Sequence, residues 1–282
     1  MLSTRFALPG GTTLLVLLVS AASAQEFSVY TGVFDASPGA GTSRTPLVRS
    51  LSLFHAGNAY DYVENAHDGE VIIFEPAAQR FRILNPARSI WTTVHFDQLT
   101  HKLKLARQVT ERHLDVVRTR EPAAPEVTEI AFALNPSFQE RFEADQHRLT
   151  LTAPLVSYRA TCAKPDGGQP SAEVVEAYLR YADAIARMNY VLHPHALGPE
   201  SRLALNAALR NWQLLPVQVE LQSSIGGPRH LRAEHKYRWG LEARDRSLIH
   251  EWETLLSDER VRHVTLDEYQ RTLLAAPAGG MK

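Results

Sequence analysis

The side chains in this 282-residue chain with the composition to do chemistry are few and scattered. His193-Pro194-His195 sets two imidazoles where an extended segment could point both at one metal ion. Structural zinc wants four ligands and catalytic zinc three, and no Cys, Asp or Glu stands at ligand spacing beside the pair. A helix C-terminus, where histidine complements the dipole, is the simpler reading. Cys162 is the sole cysteine; late in a strand pattern it reads as a buried structural thiol rather than a nucleophile. His235 falls on the apolar face of an alternating segment between Ala233 and Tyr237. It is either a core histidine satisfied by a carbonyl or tyrosine, or one that faces a ligand. Arg202 and Asn206, one helical turn apart, read as a surface pair or as a polar grip at a pocket edge. H-E-x-x-H, G-x-S-x-G, the P-loop and G-x-G-x-x-G are all missing. No catalytic residue, metal ligand or cofactor site is therefore assigned.

The elements that must position these groups follow from periodicity. Phe27, Val29 and Val33 alternate with polar or small neighbours as in a strand. A Ser-, Pro- and Gly-rich stretch at about 35–46 reads as a flexible loop. Short strand-like segments follow at 47–54, 59–63, 70–74, 80–84 and 89–94, too closely spaced for anything but an antiparallel meander. From Asp97, read as an N-cap, the period changes: Leu99, Leu103, Ala106, Thr110, Leu114 and Val117 predict an amphipathic helix over 98–118. Its outer face is basic through Lys102, Lys104, Arg107, Arg112 and Arg118, which reads as a solvated face or one that meets anionic lipid or a partner. Strands are expected at 127–134, 148–151 and 155–161. Ser171 caps a helix to about Leu192, and Pro199 opens a shorter one through Leu209.

A strand pair then follows, with Val217, Val219 and Leu221 alternating with polar residues and Gly226-Gly227 at the turn. On its second strand Leu231, Ala233, His235, Tyr237 and Trp239 share one face, while Arg232, Glu234, Lys236 and Arg238 share the other. One dry side and one wet side is the signature of a half-buried antiparallel sheet. Helices over 245–256 and 266–274, the latter capped by Thr265, close the chain. Without βαβ alternation the fold class is α+β: a curved antiparallel sheet, an open half-barrel, with helices packed on its concave face.

Arg5, the apolar run Leu14–Val19 and Ala22-Ser23-Ala24 have the order of a cleavable signal peptide over 1–24. The expectation is an exported protein, periplasmic or extracellular, whose mature chain starts at Gln25 and forms a single α+β domain over 25–282. No apolar run approaches the roughly 20 residues of a transmembrane helix. Without Arg5 there remain 29 basic against 31 acidic residues, which argues against a nucleic-acid partner. A lone cysteine leaves stability to the core.

The meander segments Leu-Ser-Leu-Phe-His-Ala-Gly-Asn-Ala-Tyr-Asp-Tyr, Glu-Val-Ile-Ile-Phe-Glu-Pro and Arg-Phe-Arg-Ile-Leu-Asn-Pro, with the late strand Leu-Leu-Pro-Val-Gln-Val-Glu-Leu, give the chain a character that resembles the periplasmic lipoprotein-carrier family and its outer-membrane lipoprotein-sorting relatives. The resemblance covers about residues 47–94 and 214–242. It implies an unclosed β-barrel with helices in its mouth and an acyl chain in the cavity. The family opens with a helix, whereas strand pattern starts here directly after Gln25, and the helix at 171–192 has no counterpart. No site residue is carried over. The sequence thus leaves three readings: a carrier or binder of lipid or another apolar ligand in the bacterial envelope, a non-catalytic envelope scaffold or interaction protein, and a hydrolase built around His193, His195 or His235. For the carrier, the candidate ligand-binding residues are Leu231, Ala233, His235, Tyr237 and Trp239.

Overall fold

The computed structural model describes residues 26–37, 45–64, 69–163, 170–193 and 198–274. The segment 1–24 read as a signal peptide, most of the loop expected at 35–46 and His195 lie outside the described residues. Twelve strands form one unclosed sheet in the order β12-β6-β5-β4-β3-β2-β1-β11-β10-β9-β8-β7. These are β1 (Phe27–Asp35), β2 (Val48–His55), β3 (Asn58–Glu64), β4 (Gly69–Glu75), β5 (Arg80–Asn85), β6 (Ile90–His95), β7 (Gln139–Glu143), β8 (Arg148–Thr152), β9 (Val156–Cys162), β10 (Pro216–Ser223), β11 (Arg229–Trp239) and β12 (Arg262–His263). All pairings are antiparallel except the two-residue parallel contact of β12 with β6. The fold is α+β, with a curved, open sheet. Two meanders, β1–β6 and β7–β11, join where β1 pairs with β11. Tight turns set the registers: Ala56 and Gly57 form a two-residue loop between β2 and β3, and Gly226 and Gly227 sit in the longer loop between β10 and β11; all four have positive φ, the conformation such turns use.

Among the described residues six α-helices accompany this sheet: α1 (Phe96–Arg120), α2 (Pro125–Leu134), α3 (Ala172–Leu192), α4 (Glu200–Asn211), α5 (Ala243–Ser257) and α6 (Leu266–Leu274). α3 carries the deepest apolar stripe, with Val174, Val175, Tyr178, Leu179, Tyr181, Met188 and Leu192 all buried. With α4 and α6 it packs on the face formed by Phe27, Val29, Phe54, Ile72, Phe74, Phe81 and Ile83. α5 takes the opposite face, closing Leu53, Tyr60, Val71, Ile73 and Leu84 beneath Ile249, Trp252 and Leu256. Both faces of β2–β5 are therefore dry, which explains why Val71 to Phe74 is apolar without alternation.

Two expectations are corrected. Residues 127–134, read as a strand, are α2. Pro125 occupies its first turn, where a missing N–H costs nothing. Val127, Ile130, Ala131 and Leu134 then fall at helical spacing. Asp97 is also not the cap of α1; His95 occupies that position and Asp97 sits in the first turn, where its charge complements the helix dipole.

An ion-pair network holds α5 to the sheet. Arg82 Nε and Nη2 donate to the two oxygens of Glu75 at 2.9 Å each, while Nη1 and Nη2 donate to Glu253 of α5 at 2.9 and 2.7 Å. Arg80 and Tyr60 complete it, donating to Glu75 and Glu253. The double fork matches the guanidinium geometry, which lysine does not reproduce. Replacing Arg82 by Leu leaves Glu75 largely buried without its principal partner, and a denaturant titration should show a loss of about 3 kcal/mol; a loss under about 0.5 kcal/mol would contradict a structural role for the network.

Candidate functional site

Register arranges the concave face in rows that cross the sheet. One row is aromatic and apolar: Trp239, Phe27, Phe54, Ala59, Phe74, Phe81 and Val94 lie side by side from β11 to β6. The next contains Tyr237, Val29, Ser52, Asp61, Ile72, Ile83 and Thr92. A third holds His235, Thr31, Ser50, Val63 and Glu70. The concave surface is therefore apolar along one rim and polar towards its middle.

α3 satisfies the polar middle. Asp61 is buried and accepts hydrogen bonds from Ser52 Oγ at 2.7 Å and from the Tyr181 hydroxyl. Glu70, also buried, accepts from Tyr269 Oη of α6 at 2.7 Å. Burial raises both carboxyls above the ordinary carboxylate range, against the pull of their hydrogen bonds. His235 Nδ1 meets Thr31 Oγ1 at 2.9 Å, and its ring packs edge-on against Tyr178. Burial, with Arg202 nearby, pulls its pKa down to about 3. The imidazole is neutral at physiological pH and works as core.

The aromatic row is different: apart from Trp239 its side chains are buried, but hollows open between them and the helices. Phe27 and Phe54 stack at 4.0 Å, Tyr181 meets Phe54 edge-on, and Phe74, Phe81 and Phe96 form a triangle with centroids 5.3 to 5.7 Å apart. Between α1 and α3 this surface opens into a cleft of about 540 Å³. Its apolar walls are Phe74, Pro76, Phe81, Phe96, Leu99, Leu103 and Ala184, and Thr100, Glu176, Asp183, Arg180, Arg187 and Arg210 form its polar lining. A smaller hollow of about 190 Å³ lies on the other side of Phe74, against Phe27, Phe54, Ala59, Val174, Ala177 and Tyr181. Arg180 borders both. Arg210 is engaged by Glu176 at 2.8 Å and Asp183 at 2.9 Å. Arg180 and Arg187 have no carboxylate within 4 Å among the described residues.

Of the residues singled out from the sequence, Leu231, Ala233, His235 and Tyr237 are on the concave face as alternation requires; Ala233 and Tyr237 pack against the core, and Tyr178 of α3 meets His235 and Tyr237. Trp239 shares the face but lies at the rim, stacked on Tyr237 and tilted over Phe27, and is 48% exposed. None of the five lines either aromatic hollow. Arg202 lies near Tyr178 and His235, whereas Asn206 is buried and donates to Asp183. Cys162 is buried, its thiol pushed up to about 12. Among the described residues no three His, Cys, Asp or Glu side chains converge to hold a metal. Sequence reading missed Phe74, Phe81 and Phe96; the first two stood in recognised strand segments and Phe96 between a strand and a helix, and only register and helix placement bring them together. No protein-family model matches the chain, and no curated protein does.

The buried groups act in opposite directions with pH. His235 takes up its proton at a lower pH folded than unfolded, so between about 6.5 and 3 the unfolded state binds more protons and stability falls on acidification. Asp61 has a raised folded pKa, so its contribution is present at low pH and is lost as pH rises through that pKa. Relative to wild type, His235→Gln should lose less stability between pH 7 and 4.5, and Asp61→Asn should lose more. Urea titrations across that range check both, and parallel curves for all three proteins would contradict the assignments.

Proposed function

We propose that this protein is an exported carrier or binder of a lipid or similar amphiphile, held with its apolar part in the cleft between α1 and α3. The observation that carries the reading is the cleft's make-up: phenylalanine and leucine walls beside a polar lining in which Arg210 is paired with Glu176 and Asp183, while Arg180 and Arg187 have no carboxylate partner among the described residues. Its volume falls within the usual range for small-molecule sites, about 300–1,000 Å³. An acyl chain gains from leaving water against such walls, at roughly 0.8 kcal/mol per methylene. Arg180 and Arg187 favour an acidic head group, since a guanidinium pairs bidentately with carboxylate or phosphate. The open α+β sheet and the order of the meander support a likeness to the lipoprotein-carrier family at the level of fold.

Here the ligand's place differs from the sequence-based expectation. α3 packs over the His235 and Tyr237 part of the β11 face, with Tyr178 against both rings. The apolar row at the opposite edge of α3 offers the space.

Native mass spectrometry of the folded protein titrated with a long-chain fatty acid or a phosphatidylglycerol should show a 1:1 adduct. Ala184→Trp fills the cleft from α3 and should weaken uptake at least about tenfold, with a melt to control for overpacking of about 1–3 kcal/mol. Arg180→Glu with Arg187→Glu should reduce uptake of the acid more than that of the matching fatty alcohol. A spectrum that stays free of adduct with every lipid, or uptake indifferent to Ala184→Trp, would overturn the proposal.

A further inference from the structure

α1 is 25 residues long yet buries only Leu99 and Leu114. At 3.6 residues per turn, Leu99, Leu103, Ala106, Leu114 and Val117 form its inward stripe. Leu105, Val109 and Val116 fall within a narrow arc roughly a third of a turn round from it. They are 46, 61 and 46% exposed, so this helix has a second apolar stripe turned to solvent.

The charges around that stripe are one-sided. Lys102, Arg112 and Arg120 flank it, with His101 and His113 on the same arc. The acidic residues of the helix, Asp97, Glu111 and Asp115, fall on a flank away from it. At the edges, Lys102 is met by Asp267 of α6 at 3.1 Å and His113 by Glu126 of α2 at 2.9 Å. Arg112 donates only to the backbone carbonyl of Gln108. Arg112 and Arg120 have no carboxylate partner among the described residues. A helix with exposed valine and leucine between cations has the arrangement of an interfacial helix lying in the head-group region of an anionic bilayer.

From the bare apolar stripe and its cationic flanks we infer that α1 docks the protein flat on an anionic membrane surface through Leu105, Val109 and Val116. Attraction of the cations to lipid phosphates brings the helix down, and insertion of the three side chains removes their apolar surface from water. The inward side of the same helix supplies Leu99 and Leu103 to the cleft, so docking sets the cleft beside the lipid. The inference stands on the outward face alone and does not require that the cleft be occupied.

Co-sedimentation with sucrose-loaded vesicles tests it, comparing phosphatidylcholine alone with phosphatidylcholine containing phosphatidylglycerol at roughly one lipid in three. The wild type should bind the anionic vesicles, less as salt rises, and bind neutral ones at least about tenfold more weakly. Leu105→Asp with Val109→Asp should reduce binding to anionic vesicles by about tenfold or more with an unchanged melt, because both side chains are exposed. Arg112→Ala with Arg120→Ala should weaken it and flatten the salt dependence. Ala184→Trp should leave vesicle binding intact, which separates failure of the docking face from failure of the cleft. Absence of binding to anionic vesicles, or binding unmoved by the aspartates, would overturn the inference. So would sedimentation velocity showing a dimer that those aspartates dissolve, since the stripe would then be covered by a second copy of the chain.

Discussion

The hydrogen bond from Tyr181 to Asp61 is the contact on which the placement of the other parts depends. A carboxylate in the middle of a sheet face, under a helix, is costly unless its oxygens are satisfied. Ser52 from the neighbouring strand and Tyr181 from α3 supply the donors, while Tyr269 does the same for Glu70 from α6. These bonds fix where α3 lies along the sheet. Apolar packing alone would tolerate a slide, because Val, Leu and Met on one side of a helix fit several positions over a surface of Val and Ile. A displaced hydroxyl would leave Asp61 buried without it.

Once α3 is fixed, the rest of the concave surface is partitioned. Over β11 the helix lies close, and Tyr178 meets His235 and Tyr237. Along the aromatic row its contact is partial, and α1 approaches from the β6 side without closing the gap. α5 seals the opposite face through Trp252 and the Arg82 network, so the sheet beneath the cleft is backed on both sides. Such a floor is rigid in the sense that its side chains are close-packed. α1, with only Leu99 and Leu114 buried, is the wall with the fewest attachments, and local opening is expected where buried apolar contacts are few.

The fold class was legible because its signals are local. Alternation gave β11 its two faces, the glycines at 226 and 227 marked a real hairpin, and Ser171 and Thr265 marked real helix starts. Residues 127–134 misled because β-branched composition and helical spacing conflict there, and the proline at the start settles the conflict in favour of α2. Trp239 was legible as to face but not depth, since alternation does not say where a covering helix ends. The cleft was not legible at all. Phe74, Phe81 and Phe96 come from β4, β5 and the start of α1, and their meeting depends on a hairpin register and on where α3 stops. Polar groups in the middle of the face were equally hidden: Asp61 and Glu70 read as ordinary strand carboxylates until both faces of those strands are known to be covered.

The most direct measurement is backbone amide NMR of the protein titrated with a monomeric long-chain fatty acid below its micelle concentration. Binding in the cleft predicts saturable shifts confined to the cleft walls, at Phe74, Phe81, Phe96, Leu99, Leu103 and Ala184, with Leu231, Ala233 and His235 of β11 unmoved. Shifts centred on β11, or none at any residue, would contradict the account.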